Sequence, residues 1–335
     1  RGGVHPPEAG PGAEGRALRT SGICRSVLDA VGGTPLVALD RLAAGLPGRV
    51  AAKLEFLNPG ASVKDRPALR ILEDAVHAGR LAARQTVIER TSGNMGTGLA
   101  IACAVKGHPL VVVISSGNSP ERVRMLRALG ARVVLVPQVT GRPGQVTSRD
   151  LQAVEQVTIR LQKRLKAFRA DQFRNPSTIL AHALGTGREI WSQAGGRVDA
   201  FVSVVGSAGT FMGVVRTLKR HNPRLKAWAV EPLKAAILSG KVRNPGRHRL
   251  QGVGYAEIPA LWDASFCDGF IQVTDREATE TARALARREG IFCGFTSGAN
   301  VAAALRLARR ARRGQRIVTV ICDSGLKYLS TDLFP

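Results

Sequence analysis

Residues 50–106 read VAAKLEFLNPGASVKDRPALRILEDAVHAGRLAARQTVIERTSGNMGTGLAIACAVK. Within this stretch a β-prone run (50–56) breaks at Asn58, Pro59 and Gly60 and gives way to an amphipathic helix reaching about residue 78. A second β-prone run (86–89) passes through a Gly-containing turn into a helix over 93–106. The alternation continues outward, with strands expected at 110–114, 133–136, 200–205, 227–230 and 317–322. Helices are expected at 120–129, 148–168, 210–220, 275–288 and 298–312. Strands alternating with helices in this way predict parallel sheet with crossover helices, an α/β fold. A loop with Pro137, Gly141, Pro143 and Gly144, followed by the polar, basic helix at 148–168, marks a lobe boundary. Two α/β lobes with a ligand-binding cleft between them are therefore expected.

The 335 residues, 44% hydrophobic, can fill two such cores without disulfides. No apolar run is long enough to span a bilayer, and the Gly-, Pro- and Ala-rich start has no apolar segment of the signal-peptide kind. No membrane partner and a cytoplasmic setting are expected, with residues 1–22 a disordered tail. Cys24, Cys103, Cys267, Cys293 and Cys322 are scattered, odd in number and without C-x-x-C spacing, which fits reduced core thiols better than bridges or a zinc site. His77, His108, His182, His221 and His248 form no ligand spacing either, so no metal is expected.

The chain has 49 Lys plus Arg against 25 Asp plus Glu, a net charge of +24, and its field attracts anions. The positive residues are spread over Arg-rich helices and only 4% of residues are aromatic, so stacking platforms are few and nucleic acid is not the expected partner.

Three strand-to-helix turns can carry chemistry. In NPGASVKDR (58–66) a lysine, Lys64, arrives on the opening turn of a helix, where the helix N-terminus and desolvation in a pocket favour the neutral amine that Schiff-base chemistry needs. On spacing alone an ordinary solvated lysine is the commoner explanation. In TSGNMG (91–96) glycines allow close backbone approach, hydroxyls and Asn94 offer hydrogen bonds, and the helix N–H groups favour a carboxylate; a generic N-cap turn reads the same way. GSAGT (206–210) is a short Gly-rich loop suited to a phosphate, without the spacing of a nucleotide fingerprint.

Together, and in this order, these segments resemble the cysteine synthase and cystathionine β-synthase family of pyridoxal-phosphate enzymes, which has the tryptophan synthase β-like fold. The likeness runs from about Ser26 to Phe334. Further markers are VGGTPLV (31–37), KLEFLNPGASVKDR (53–66), DQFRNP from Asp171, REIW (188–191), QGVG (251–254), EGIFCGFTSGAN (289–300) and DSGLKYLST (323–331). The resemblance implies two three-layer α/β lobes with mostly parallel sheets and pyridoxal 5'-phosphate in the cleft between them. Residues 40–168 would form an N-terminal lobe with a movable substrate-binding part, and 23–39 with 169–335 a C-terminal lobe with the phosphate loop. It makes Lys64 the cofactor lysine and the base for the substrate α-proton. Asn94 would meet the ring hydroxyl, Gly206, Ser207, Ala208, Gly209 and Thr210 the phosphate, and Thr296 the pyridine nitrogen with Ser297 beside it. Thr91, Ser92, Gly93, Met95 and Gln172 would hold the substrate carboxylate, with Gly252, Tyr255 and Glu257 at the substrate side. Without the resemblance, Thr296 reads as a helix N-cap and Gln172 as a surface amide.

The implied reaction is β-replacement on O-acetylserine, O-phosphoserine or a related serine derivative through an aminoacrylate, by a homodimer acting on a small amino acid and a small nucleophile. A neutral hydroxyl at the pyridine nitrogen makes the ring a weaker electron sink, which favours elimination over a long-lived carbanion. A serine or threonine dehydratase would share the chemistry as far as elimination, and a non-catalytic basic scaffold would share only the fold. Departures from the usual cysteine synthase pattern cluster at the substrate: SSGNSP (115–120), Met95 for threonine, Ser207-Ala208 for Thr-Gly, and Tyr255-Ala256-Glu257 for a small apolar run. Tyr255 and Glu257 could repel free sulfide or orient a larger nucleophile; equally, Glu257 could face solvent or pair with an arginine.

Overall fold

In the computed structural model the described residues are 22–334, apart from Ser92, Ser119, 141–147, Pro245, Tyr255 and Ala256. Their strands form two sheets. The larger has six strands: β1 (Leu36–Ala38), β2 (Arg49–Leu54), β7 (Ala200–Val204), β8 (Lys226–Pro232), β9 (Gly269–Val273) and β10 (Arg316–Ile321). Their spatial order is β1-β2-β10-β7-β8-β9, parallel except for β1. The smaller, all parallel, contains β3 (Val87–Arg90), β4 (Leu110–Ser115), β5 (Arg132–Val136) and β6 (Phe168–Arg169) in the order β5-β4-β3-β6.

Both sheets are covered on both faces, which is why their strands read as continuous apolar runs. Along β7, Ala200, Val202 and Val204 pack with helices α8 (Asp275–Ala284) and α9 (Phe295–Arg310), while Phe201 faces α7 (Gly209–His221). Along β4, Leu110 and Val112 face α1 (Asp65–His77) and α2 (Asn94–Lys106), while Val111 and Val113 face Val154 of α4 (Ser148–Leu165). The expected three-layer α/β lobes are what these alternations build.

Four expectations change. The strand at 50–56, placed by sequence with the first lobe, ends at Leu54, where Glu55–Leu57 turn into a 3-10 helix, and its six residues Arg49–Leu54 all pair with β10 of the larger sheet, a partner more than two hundred residues away in the chain. The helix expected over 148–168 stops at Leu165: Lys166 takes a left-handed φ of 47° and Phe168 becomes an edge strand whose N–H donates to the Thr86 carbonyl. The helix expected to begin at 298 begins at Phe295, so Thr296 and Ser297 lie inside its first turn and Gly294 occupies the cap. The helix expected over 275–288 is α-helical only to Ala284 and continues as a π-turn over Leu285–Glu289. All five cysteines are free, and no metal-type cluster occurs among the described residues. No described helix is long and apolar enough to cross a membrane.

Candidate active site

Lys64 caps α1, and a brace of buried charge fixes that turn. Arg66 forks onto two carboxylates, Glu55 at 2.6 and 2.8 Å and Glu189 at 2.6 and 2.7 Å. Fully buried Lys53 pairs with Glu189 at 2.6 Å, and Thr34 donates to Glu55 at 2.7 Å. Two cations thus face two anions in a planar geometry that a guanidinium satisfies and a second lysine would not. Burial raises the Glu189 carboxyl, but Arg66 and Lys53 outweigh it and hold the group down at about 2. A Cβ on Gly32, whose φ is 94°, would lie 2.9 Å from Arg66 Nη1, so the VGGTP glycine leaves room for the guanidinium. The loop before Lys64 is pinned from the other side, with the Val63 N–H on the Cys322 carbonyl and the Ser324 N–H on the Ala61 carbonyl.

The Lys64 amine enters a cleft of about 2100 Å³ at the C-terminal ends of both parallel sheets, where open α/β folds bind ligands. It makes no hydrogen bond or ion pair within the described residues. Burial is the largest influence on it and holds the ammonium below the ordinary lysine range, against Cys322, Asp323 and Glu55.

The turn at 206–210 lines the same cleft at the start of α7. Ala208 caps α7 with a left-handed φ of 71°, and a left-handed residue beside right-handed ones is the backbone pattern from which anion-binding concavities are made. A Cβ on Gly206 would come within 2.6 Å of the Gly252 carbonyl, and one on Gly209 within 2.2 Å of Thr178 Cγ2, so both positions hold glycine for space. Thr210 Oγ1 lies 3.2 Å from Nε2 of buried His182, whose Nδ1 is 2.9 Å from Thr186 Oγ1. Burial, with Arg66 and Lys64, keeps that imidazole neutral. His182 has no sequence signal; its link to the loop exists only in three dimensions.

Asn94 opens α2, its Nδ2 donating to Asp323 Oδ2 at 2.8 Å and its Oδ1 accepting from Lys327 Nζ at 2.7 Å. Thr91, Gly93, Met95, Gln172, Gly252 and Thr296 line the cleft as well. Thr296 Oγ1 donates weakly, at 3.4 Å, to the Gln251 carbonyl. Gln172 is 7% exposed, yet its side-chain amide has no partner among the described residues. Glu257 is exposed at the rim with no arginine paired to it among the described residues. Ser297 is not brought to the cleft: fully buried, it accepts from the Cys322 N–H at 2.9 Å and braces β10. Ser92 and Tyr255 lie outside the described residues.

The model of the family described as "Pyridoxal-phosphate dependent enzyme" matches residues 27–323. The chain belongs to that family. Cysteine synthase 3 of Caenorhabditis elegans is 39% identical over 308 residues, covering 91% of this chain and 88% of the relative. Among solved structures, O-ureido-L-serine synthase superposes with a TM-score of 0.86 at 37% identity, covering 93% of this chain and 96% of the other. O-Acetyl serine sulfhydrylase isoform 3 from Entamoeba histolytica gives 0.87 at 36% identity, covering 94% and 93%. The cofactor of this pyridoxal-phosphate dependent enzyme fits the cleft: an unpartnered amine at Lys64, the tightly packed glycines 206 and 209 at the N-terminus of α7, and a hydroxyl at Thr296 stand around one volume.

Proposed function

We propose that the protein replaces the β-substituent of O-acetylserine, O-phosphoserine or a related serine derivative with a small nucleophile, giving cysteine or another β-substituted alanine. The observation that carries this is the unpartnered Lys64 amine facing the same cleft as the glycine turn at 206–210. The similar sequence is a cysteine synthase, and the two similar structures, an O-ureido-L-serine synthase and an O-acetyl serine sulfhydrylase, are both named for serine derivatives.

Bound pyridoxal phosphate withdraws electrons from the α-carbon of an attached amino acid, so that the α-proton becomes acidic and a β-substituent can leave. Lys64 Nζ holds the cofactor, then takes and returns the α-proton, a task for which its depressed basicity suits it. The N–H groups opening α2, with Thr91, Ser92 and Gly93, hold the substrate carboxylate, and Gln172 offers its free amide to the same group. The turn Gly206–Thr210 holds the phosphate, steadied by His182 behind Thr210. Thr296 supplies a neutral hydroxyl at the ring nitrogen. Met95, Tyr255 and Glu257 set the size and charge admitted beside the reacting carbon.

The part that moves is the region around the four-stranded sheet, within residues 40–168, against the remainder that carries the phosphate turn. The protein acts as a homodimer in the cytoplasm, as its family resemblance and its free, scattered cysteines support. Its positive surface draws small anionic substrates and has no nucleic-acid role.

The test is spectroscopic. Reconstituted protein is mixed in turn with O-acetylserine, O-phosphoserine and serine, and donors that change the visible spectrum are followed by a nucleophile screen with mass detection of product. At least one donor should change the spectrum and yield a substituted alanine. Pyruvate as the main product with every nucleophile would favour dehydration, and no spectral response to any donor would overturn the substrate class.

A further inference from the structure

A second amine stands in the cleft. Lys327 lies on the 3-10 turn Gly325–Tyr328 that follows β10, and its side chain reaches inward. Its Nζ donates to the Gly60 carbonyl at 2.8 Å and to Asn94 Oδ1 at 2.7 Å. One ammonium therefore joins the loop that carries Lys64, the start of α2 and the end of the chain's last sheet strand. Asp323, on the far side of Asn94, accepts from Asn94 Nδ2 at 2.8 Å and from the Tyr328 hydroxyl at 2.8 Å.

A side-chain amide ordinarily has two orientations that exchange its oxygen and nitrogen. An ammonium only donates and a carboxylate only accepts, so Lys327 on one side and Asp323 on the other leave Asn94 a single orientation. The second Nδ2 hydrogen is then the one donor the amide has left. Burial depresses the Lys327 ammonium, while Asp323 and Asp65 support its charge and Arg122 and Lys64 oppose it.

We propose that Lys327 is a positioning residue: it locks the Asn94 amide so that its remaining N–H meets the ring oxygen of bound pyridoxal phosphate, and it keeps a positive charge behind that contact. The inference rests on Lys64 as the cofactor lysine and Asn94 as the ring-oxygen contact. Its chemical sense comes from the opposite end of the site, where Thr296 offers a neutral hydroxyl. The two ends then differ in polarity, and negative charge is favoured at the ring oxygen rather than drawn to the nitrogen.

Lys327→Met and Lys327→Arg, reconstituted with pyridoxal phosphate, are compared with wild type by the ratio of visible to near-ultraviolet absorbance per bound cofactor at fixed pH, beside thermal unfolding. A donor at the ring oxygen favours the form that absorbs in the visible. Lys327→Met should lower the ratio roughly fivefold, the size of one ordinary hydrogen bond, and Lys327→Arg should keep it. If Lys327→Met does not fold, Lys327→Gln takes its place and should show the same fall, because an amide both donates and accepts and no longer fixes Asn94. A wild-type ratio in the neutral variant, even with a lowered Tm, would make Lys327 a structural tie and overturn the proposal. A wild-type protein with no visible band would overturn the cofactor assignment and this inference together, whereas a normal band with unresponsive variants sinks this inference alone.

Discussion

On the six-stranded side of the cleft, the turn at 206–210 is closed in by its own protein: Gly209 has no room for a methyl group, Thr210 rests on His182, and the loop packs against Gly252. Elsewhere on the cleft wall Gln172 keeps an unpartnered amide, although its own carbonyl accepts from the Thr178 that packs on Gly209, and at the rim Glu257 stands exposed. The first region is finished before a ligand arrives, and the second keeps its polar groups open. A prebuilt phosphate seat costs no ordering on binding, while the unpaired groups are the ones that can distinguish one substrate from another. The brace of Lys53, Glu55, Arg66 and Glu189 belongs with the first kind, since its charges are consumed within the fold.

The largest effect is expected at the brace. Glu189→Gln leaves buried Lys53 and Arg66 short of a counter-charge and should lower the unfolding free energy at neutral pH by about 3–5 kcal/mol, measured by urea titration. The folded-state value of about 2 lies below the ordinary 4.5, so the stabilisation from Glu189 is complete above pH 4.5 and is lost as pH falls toward 2. The variant should therefore show a flatter stability profile across that window. An unchanged profile would mean that the brace contributes nothing through charge.

Gly209→Ala comes next. The added methyl would lie 2.2 Å from Thr178 Cγ2, and such overpacking costs about 1–3 kcal/mol. Cofactor affinity, followed by fluorescence titration, should fall at least roughly fivefold by the same shift of the loop. Gln172→Ala sharpens the contrast at a group left open. Folding stability should stay within about 0.5 kcal/mol of wild type, while KM for the amino-acid donor rises by about tenfold or more, as for a lost hydrogen bond to a carboxylate. Should Gln172→Ala unfold the protein as readily as Gly209→Ala, the difference between the two regions would disappear. The smallest effect is expected at Ala208, whose left-handed φ of 71° suits glycine better. Ala208→Gly should stabilise by about 1 kcal/mol, read as a rise in Tm.

The alternation of strands and helices and the three strand-to-helix turns were legible because each lies within one local stretch of chain. Lys64, Asn94 and the 206–210 turn all sit where such junctions must place them, at the ends of parallel strands. Strands β1, β6 and β9 gave no readable run of their own, two of them being only two or three residues long at or near sheet edges. The brace was hidden for another reason. Arg66 and Glu189 are 123 residues apart, and no local pattern announces that they meet. The VGGTP, KLEF, SVKDR and REIW segments were recognisable as markers, but only the structure explains them as one electrostatic unit behind Lys64. Lys327 and His182 escaped in the same way, because each acts on a residue far along the chain. Ser297 looked like a companion of Thr296, but on a helix adjacent side chains point in different directions, and it turns into the core.

Reduction of the reconstituted protein with borohydride, followed by peptide mass mapping, tests the central claim most directly. A pyridoxyl adduct confined to the peptide bearing Lys64, and lost in Lys64→Ala, is the result expected. An adduct on Lys327 or any other lysine in place of Lys64, or no adduct at all, would contradict it.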